Sequence, residues 1–110
     1  MTEEGLQDTE HILNEDRHQI DLLDQEILNL LNERAKLSVN IAMLKSRNKM
    51  PVFVPERENS LLEQIISMNK GPLTMEAIRN IFLTIMDESK KLQSDILNQN
   101  TDRKSNDIKE

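Results

Sequence analysis

A chain of 110 residues is long enough for one domain with a modest core. Charged residues make up 31% and aromatic ones 2%, with two Gly, three Pro and no Trp or Tyr, which is the profile of a helical protein. The net charge of -6 speaks against nucleic-acid binding, which needs a concentrated basic face. The lack of Cys excludes disulfides and thiolate metal sites, and no apolar run approaches the ~20 residues of a membrane span. The opening MTEEGLQDTE is acidic and lacks the apolar core of a signal peptide, so a soluble cytoplasmic protein is the simplest expectation.

Between Leu6 and Met50 there is neither Gly nor Pro. Asp8 or Thr9 suits the N-cap of a helix running to about Asn48, which leaves 1–8 as a flexible N-terminus. Along it the row Ile20, Leu23, Ile27, Leu30, Arg34, Leu37, Ile41, Leu44 alternates spacings of three and four, the mark of a face packed on other helices. Some 40 residues at ~1.5 Å each make a rod of roughly 60 Å, whereas a compact domain of this size has a radius of gyration of about 13 Å. The rest of the chain is too short to cover such a rod, so a second copy is expected to bury part of the seam as a homodimer.

Pro51 ends that helix, and MPVFVPERE forms a short connection. Pro55 suits the first position of a second helix, with Glu56 and Glu58 in its favourable first turn. Leu61, Leu62, Ile65 and Ile66 give its buried face, and NKGP is expected to close it near Gly71. Thr74 caps a third helix whose inward row reads Ile78, Ile81, Phe82, Ile85, Ser89, Leu92, Gln93, Ile96. From Asn100 the sequence NTDRKSNDIKE has no periodicity, and 100–110 is expected to be a disordered polar tail. The expectation is therefore an all-α domain over 9–99, with three helices, one of them very long.

Both stripes carry polar interruptions. A buried guanidinium without a partner costs several kcal/mol, so Arg34 must meet a carboxylate of the protein or an anionic ligand. Lys45 follows it by 11 residues, nearly a whole number of turns, on the same face and roughly 16 Å along the axis. Two long cations so placed can lean together over a small anion, and Ser38 leaves room between them. Ser89 and Gln93, one turn apart on the third helix, could add neutral donors, and Arg57 with Glu58 could close one end. Arg17 lies 17 residues before Arg34, or about 25 Å, too far to reach the same ligand. If the long helices pair antiparallel, Arg17 of one chain could reach the pocket of the other. On residues alone, solvated cations and a hydrogen-bonded core Gln remain an alternative to a pocket. Met43, Met68, Met75 and Met86 read as core filler. His11 and His18 have no metal-ligand spacing, and there is no nucleophile–base pair or Gly-rich phosphate loop. No metal or cofactor is expected, and any chemistry on a bound polyanion must need little acid or base.

The stretches RHQIDLLDQEILNLLNERAKLSVNIAMLK, VPERENSLLEQI and IFLTIMDESKKLQ together resemble the all-helical, intracellular chorismate mutases from about Asp16 to Gln93. The shared pattern is R-x-x-I-D-x-L-D, then L-x-x-R, a Lys, R-E and S-x-x-x-Q. The resemblance implies an intertwined homodimeric helical bundle in which the long helix is shared between two sites. It implies an isomerase converting chorismate to prephenate, the shikimate-pathway step committed to phenylalanine and tyrosine, without cofactor. By position, Arg34 and Arg17 of the other subunit would hold the two carboxylates of chorismate, and Lys45 and Gln93 would face the ether oxygen. Glu58 would hold the ring hydroxyl with Arg57 in support, and Ser89 would assist at a carboxylate. One position departs: where the family often has Asp before the residue at Pro55, this chain has Val54, so side-chain capping is lost there. Isochorismate pyruvate lyases and 4-amino-4-deoxychorismate mutases of similar fold are the enzymatic alternatives. A non-catalytic helical dimerisation or regulatory module is the third.

Overall fold

The computed structural model describes the backbone of residues 2–109 and the side chains of residues 2–99. Three α-helices follow one another, α1 Glu3–Arg47, α2 Pro55–Met68 and α3 Met75–Lys109, and no strand occurs among the described residues. The chain divides into two compact units, Met1–Arg34 and Ala35–Glu110.

The first unit is a single length of α1. Thr2 caps it: the Gly5 N–H donates to Thr2 Oγ1 at 3.2 Å, and the Leu6 N–H donates to the Thr2 carbonyl at 3.1 Å. Glu3 and Glu4 occupy the first turn, where the positive end of the helix dipole favours them. The helix thus starts ahead of the expected Asp8 or Thr9, inside the segment read as a flexible N-terminus. Thr9 is no cap, because its hydroxyl donates back to the Gly5 carbonyl at 2.8 Å within the helix. No side chain of this unit is buried, and among its described residues only Gly5 and Arg34 are less than exposed.

The second unit packs the end of α1 with α2 and α3. Its core takes one residue from each helix, Ala42 at 1%, Leu62 at 5% and Met86 at 4% exposure. Around them Leu61, Ile65, Ile66, Ile78, Phe82, Ile85, Leu92 and Ile96 are half-buried, as the two inward rows predict, while Ile81 stands exposed. The α1 helix closes in a Schellman motif, with the Met50 N–H on the Lys45 carbonyl at 2.8 Å and the Lys49 N–H on the Ser46 carbonyl at 3.3 Å. The residue that makes this turn is Lys49, at φ 56.

Pro55 opens α2 as expected. Val54 precedes it in an extended conformation without a side-chain cap bond, and its carbonyl accepts from the Arg57 N–H at 3.0 Å and the Glu58 N–H at 3.3 Å. NKGP closes α2 as expected, through its first residue and not its glycine. The helix stops at Met68, and Asn69 rather than Gly71 makes the turn. The Asn69 amide donates to the Leu73 carbonyl at 2.7 Å and accepts from the Gly71 N–H at 3.2 Å, while no Gly takes a positive φ. Thr74 caps α3 as predicted, its hydroxyl accepting from the Ala77 N–H at 3.1 Å. The backbone of α3 then continues to Lys109, through most of the segment expected to lack order.

Candidate active site

Side-chain contacts tie the second unit together across helices. Gln93 on α3 donates its amide Nε2 to the backbone carbonyl of Ser38 on α1 at 2.7 Å, in a part-buried position. A carbonyl can only accept, so this contact orients the amide with its NH2 group toward α1. One N–H is engaged there and the amide retains a second. Beside it, the Ser38 hydroxyl is buried without a hydrogen-bond partner, a condition few buried polar groups are left in.

The second contact joins α2 to α3. Lys90 Nζ lies 3.2 Å from Glu58 Oε1 and donates to Glu58 Oε2 at 3.2 Å. It also reaches Asp87 Oδ1, one turn back on α3, at 3.5 Å. The hydrogen bond to Glu58 and that carboxylate's charge hold the Lys90 ammonium above its ordinary value of 10.5, against the opposing effect of burial. The stabilisation is therefore complete below pH 10.5 and is lost as pH rises through the raised value.

The residues predicted to form a site fall in both units. Lys45, half-buried in the last turn of α1, belongs to the second unit, as do half-buried Glu58, Ser89 and Gln93 and exposed Arg57. Arg34 is half-buried and ends the first unit, and Arg17 stands exposed within it. Direct bonds connect Gln93 to α1 and Glu58 to α3. Two participants were not anticipated, the Ser38 carbonyl and Lys90. Lys90 sits one turn after buried Met86 and one turn before Gln93, so the fold places it on their face. Among the described residues no group of three or more His, Cys, Asp or Glu is placed to hold a metal ion. No helix among them is long and apolar enough to cross a membrane.

The second unit is thus an all-helical domain with an amide anchored across helices and a carboxylate paired across them. The family model described as chorismate mutase type II matches residues 16–94, and the chain belongs to that family. A similar curated protein is the bifunctional chorismate mutase/prephenate dehydratase of Aquifex aeolicus, 42% identical over 88 residues, covering 76% of this chain and 24% of that protein. The protein of the same description from Escherichia coli K12 is 33% identical over 88 residues, covering 79% and 23%. The chain thus spans about a quarter of the length of these relatives. Among solved structures, chorismate mutase from Thermus thermophilus (form II) matches with a TM-score of 0.73 and 33% identity, over 74% of this chain and 93% of that one. Chorismate mutase from Helicobacter pylori, solved in complex with prephenate, matches with a TM-score of 0.72 and 28% identity, over 79% and 94%.

Proposed function

We propose that the chain is a chorismate mutase that rearranges chorismate to prephenate, working as a homodimer in the cytoplasm. The observation that carries this reading is the span of the family match. Residues 16–94 take in all seven proposed site residues, Arg17, Arg34, Lys45, Arg57, Glu58, Ser89 and Gln93. The reaction is a unimolecular pericyclic rearrangement, which needs no nucleophile and no proton shuttle. Holding the compact reactive conformer removes part of the entropic barrier. In this reading Arg34 and Arg17 of a second copy take the two carboxylates, Ser89 assists at one of them, and Glu58 with Arg57 takes the ring hydroxyl.

Lys45 and Gln93 then donate to the ether oxygen as negative charge develops on it. The bond from Gln93 to the Ser38 carbonyl supports this role, because an amide already anchored through one N–H presents the other with little reorganisation. The dimer is supported by the exposed apolar row of α1, in which Leu30 is 62% and Ile20 54% exposed.

The test is to incubate the purified protein with chorismate, isochorismate and 4-amino-4-deoxychorismate and to identify the products. Prephenate from chorismate is expected, whereas pyruvate release from isochorismate or turnover of the amino analogue alone would overturn the assignment. Lys45→Ala should then lose about 3 kcal/mol of transition-state stabilisation, roughly two orders of magnitude in kcat/KM.

A further inference from the structure

We infer that Lys90 is a positioning residue for the ring-hydroxyl end of the site, fixing and neutralising Glu58 so that this carboxylate can stand beside a dianionic substrate. The inference rests on the chorismate mutase reading above and extends it to a residue that reading leaves idle.

Three observations carry it. The first is geometric: Lys90 Nζ stands 3.2 Å from each Glu58 oxygen, so it sets the plane of the carboxylate as well as pairing with its charge. The second concerns what else could fix Glu58. It sits in the first turn of α2, whose entry residue Val54 makes no side-chain cap bond. The capping contacts there come from the Val54 carbonyl and engage the Glu58 backbone N–H, not its carboxylate. The side chain is therefore held from α3, by the residue lying between Ser89 and Gln93 on the same helix. The third is charge. Lys90 is shared between Glu58 and Asp87, so its cation is taken up by carboxylates of the protein and is no spare clamp for a ligand. Its removal would leave the Glu58 carboxylate uncompensated beside a substrate that is itself doubly negative, and like charges at short range repel most where water is partly excluded.

The experiment compares steady-state kinetics on chorismate for wild type, Lys90→Met, Lys90→Arg, Glu58→Gln and the Lys90→Met/Glu58→Gln double variant, with circular dichroism and melting curves for each. Methionine keeps the apolar stem of the lysine and removes only its charge. Lys90→Met is expected to raise KM about fivefold with kcat changed by less than about twofold, the upper range for a half-exposed pair. Lys90→Arg should restore most of the loss. In the Glu58→Gln background Lys90→Met should have no further effect on KM, because the charge it compensates is gone. A Lys90→Met enzyme with lower melting temperature but unchanged KM would make the pair merely structural and overturn the inference. So would a KM increase of the same size with and without Glu58, which would make Lys90 a substrate contact in its own right. Wild-type turnover in the same assay decides the underlying reading separately: an inactive wild type removes both, whereas an active wild type with an indifferent Lys90→Met removes this inference alone.

Discussion

The seam of α1, which alone makes up the first unit, and the inward faces of α2 and α3 in the second carry the same three-and-four apolar spacing and bury it very differently. In the first, Ile20, Leu23, Ile27 and Leu30 are 54%, 54%, 53% and 62% exposed along one stripe of α1, and no described residue is buried. In the second, the α1 row stays open at Leu37, Ile41 and Leu44 (62%, 52% and 60%), and burial is confined to Ala42, Leu62 and Met86 at 1%, 5% and 4%, where α3 packs on α2 and bonds back to α1 through Gln93. Periodicity thus reports that a face must be covered, and says nothing about which chain covers it. Fully burying a Leu or Ile contributes about 1.5–3 kcal/mol, so each half-exposed member of the row forgoes about 1 kcal/mol. A second copy bearing the same stripe can recover that along the whole helix, in keeping with the proposed dimer.

The most direct way to break this comparison is Ile27→Asp. At a permanently solvated helix position the change would cost only the few tenths of a kcal/mol that separate the two helix propensities. At a dimer interface it buries an unpaired carboxylate, which costs several kcal/mol. The expected outcome is a monomer by sedimentation with no measurable turnover. A dimeric, active Ile27→Asp protein would show that this face of the first unit is not the interface.

The next largest effect separates the units by what each contributes to catalysis. Arg17→Ala and Arg34→Ala should each lose about two orders of magnitude or more in kcat/KM, since each removes a charged contact to a carboxylate. Refolded together, they form heterodimers in which one site carries both lesions and the other carries neither. Random assortment then returns roughly a quarter of wild-type activity, because half the dimers are mixed and each holds one intact site. Heterodimers shown to form without any recovered activity would place Arg17 in its own chain's site or outside catalysis.

What the sequence made legible follows the same division. Signals that act within a few residues were readable: Pro55 at the start of α2, Thr74 as the cap of α3, and the inward rows of those helices, which supply Leu62 and, Ile81 apart, the half-buried shell around the core. Ser89 and Gln93 stood out because they interrupt an apolar row. Lys90 did not, since a Lys beside an acidic run reads as solvated until α2 brings Glu58 to it from 32 residues away. The Ser38 carbonyl was invisible for a related reason: every residue has one, and only the approach of α3, 55 residues on, singles it out. The start of α1 was misplaced because the cap was sought within the stretch free of Gly from Leu6, whereas Thr2 caps the helix and Gly5 lies inside its first turn.

Within the second unit the comparison sharpens at Leu62. At 5% exposure it is one of three residues that anchor a small core, so Leu62→Ala should destabilise the chain by about 2–5 kcal/mol in chemical denaturation. A loss under about 1 kcal/mol, in the range of an ordinary surface change, would mean that this core is less decisive than its burial indicates.

The smallest effect has the opposite sign and lies at the close of α1. Lys49 adopts φ 56, a left-handed conformation that crowds the β-carbon of any residue but Gly. The Schellman bonds it allows use only backbone atoms, the Met50 N–H on the Lys45 carbonyl and the Lys49 N–H on the Ser46 carbonyl. Lys49→Gly leaves both bonds intact and removes the crowding, which is worth about 1 kcal/mol, while the freer unfolded chain takes back part of that gain. The net expectation is a stabilisation of about 0.5 kcal/mol, or a few degrees in Tm for a domain of this size. Lys49→Ala separates conformation from charge, because alanine keeps the β-carbon and loses a cation that favours the negative end of the helix dipole. It should be no more stable than wild type, and Lys49→Val, branched at the strained carbon, should be less stable. If Ala stabilises as much as Gly, the conformational account fails and the lysine's charge or stem is the unfavourable element. If the order is Gly, then Lys, then Val, the turn is strained as its dihedral indicates. The last turn that carries Lys45 is then held by backbone bonds strong enough to tolerate the wrong residue at its hinge.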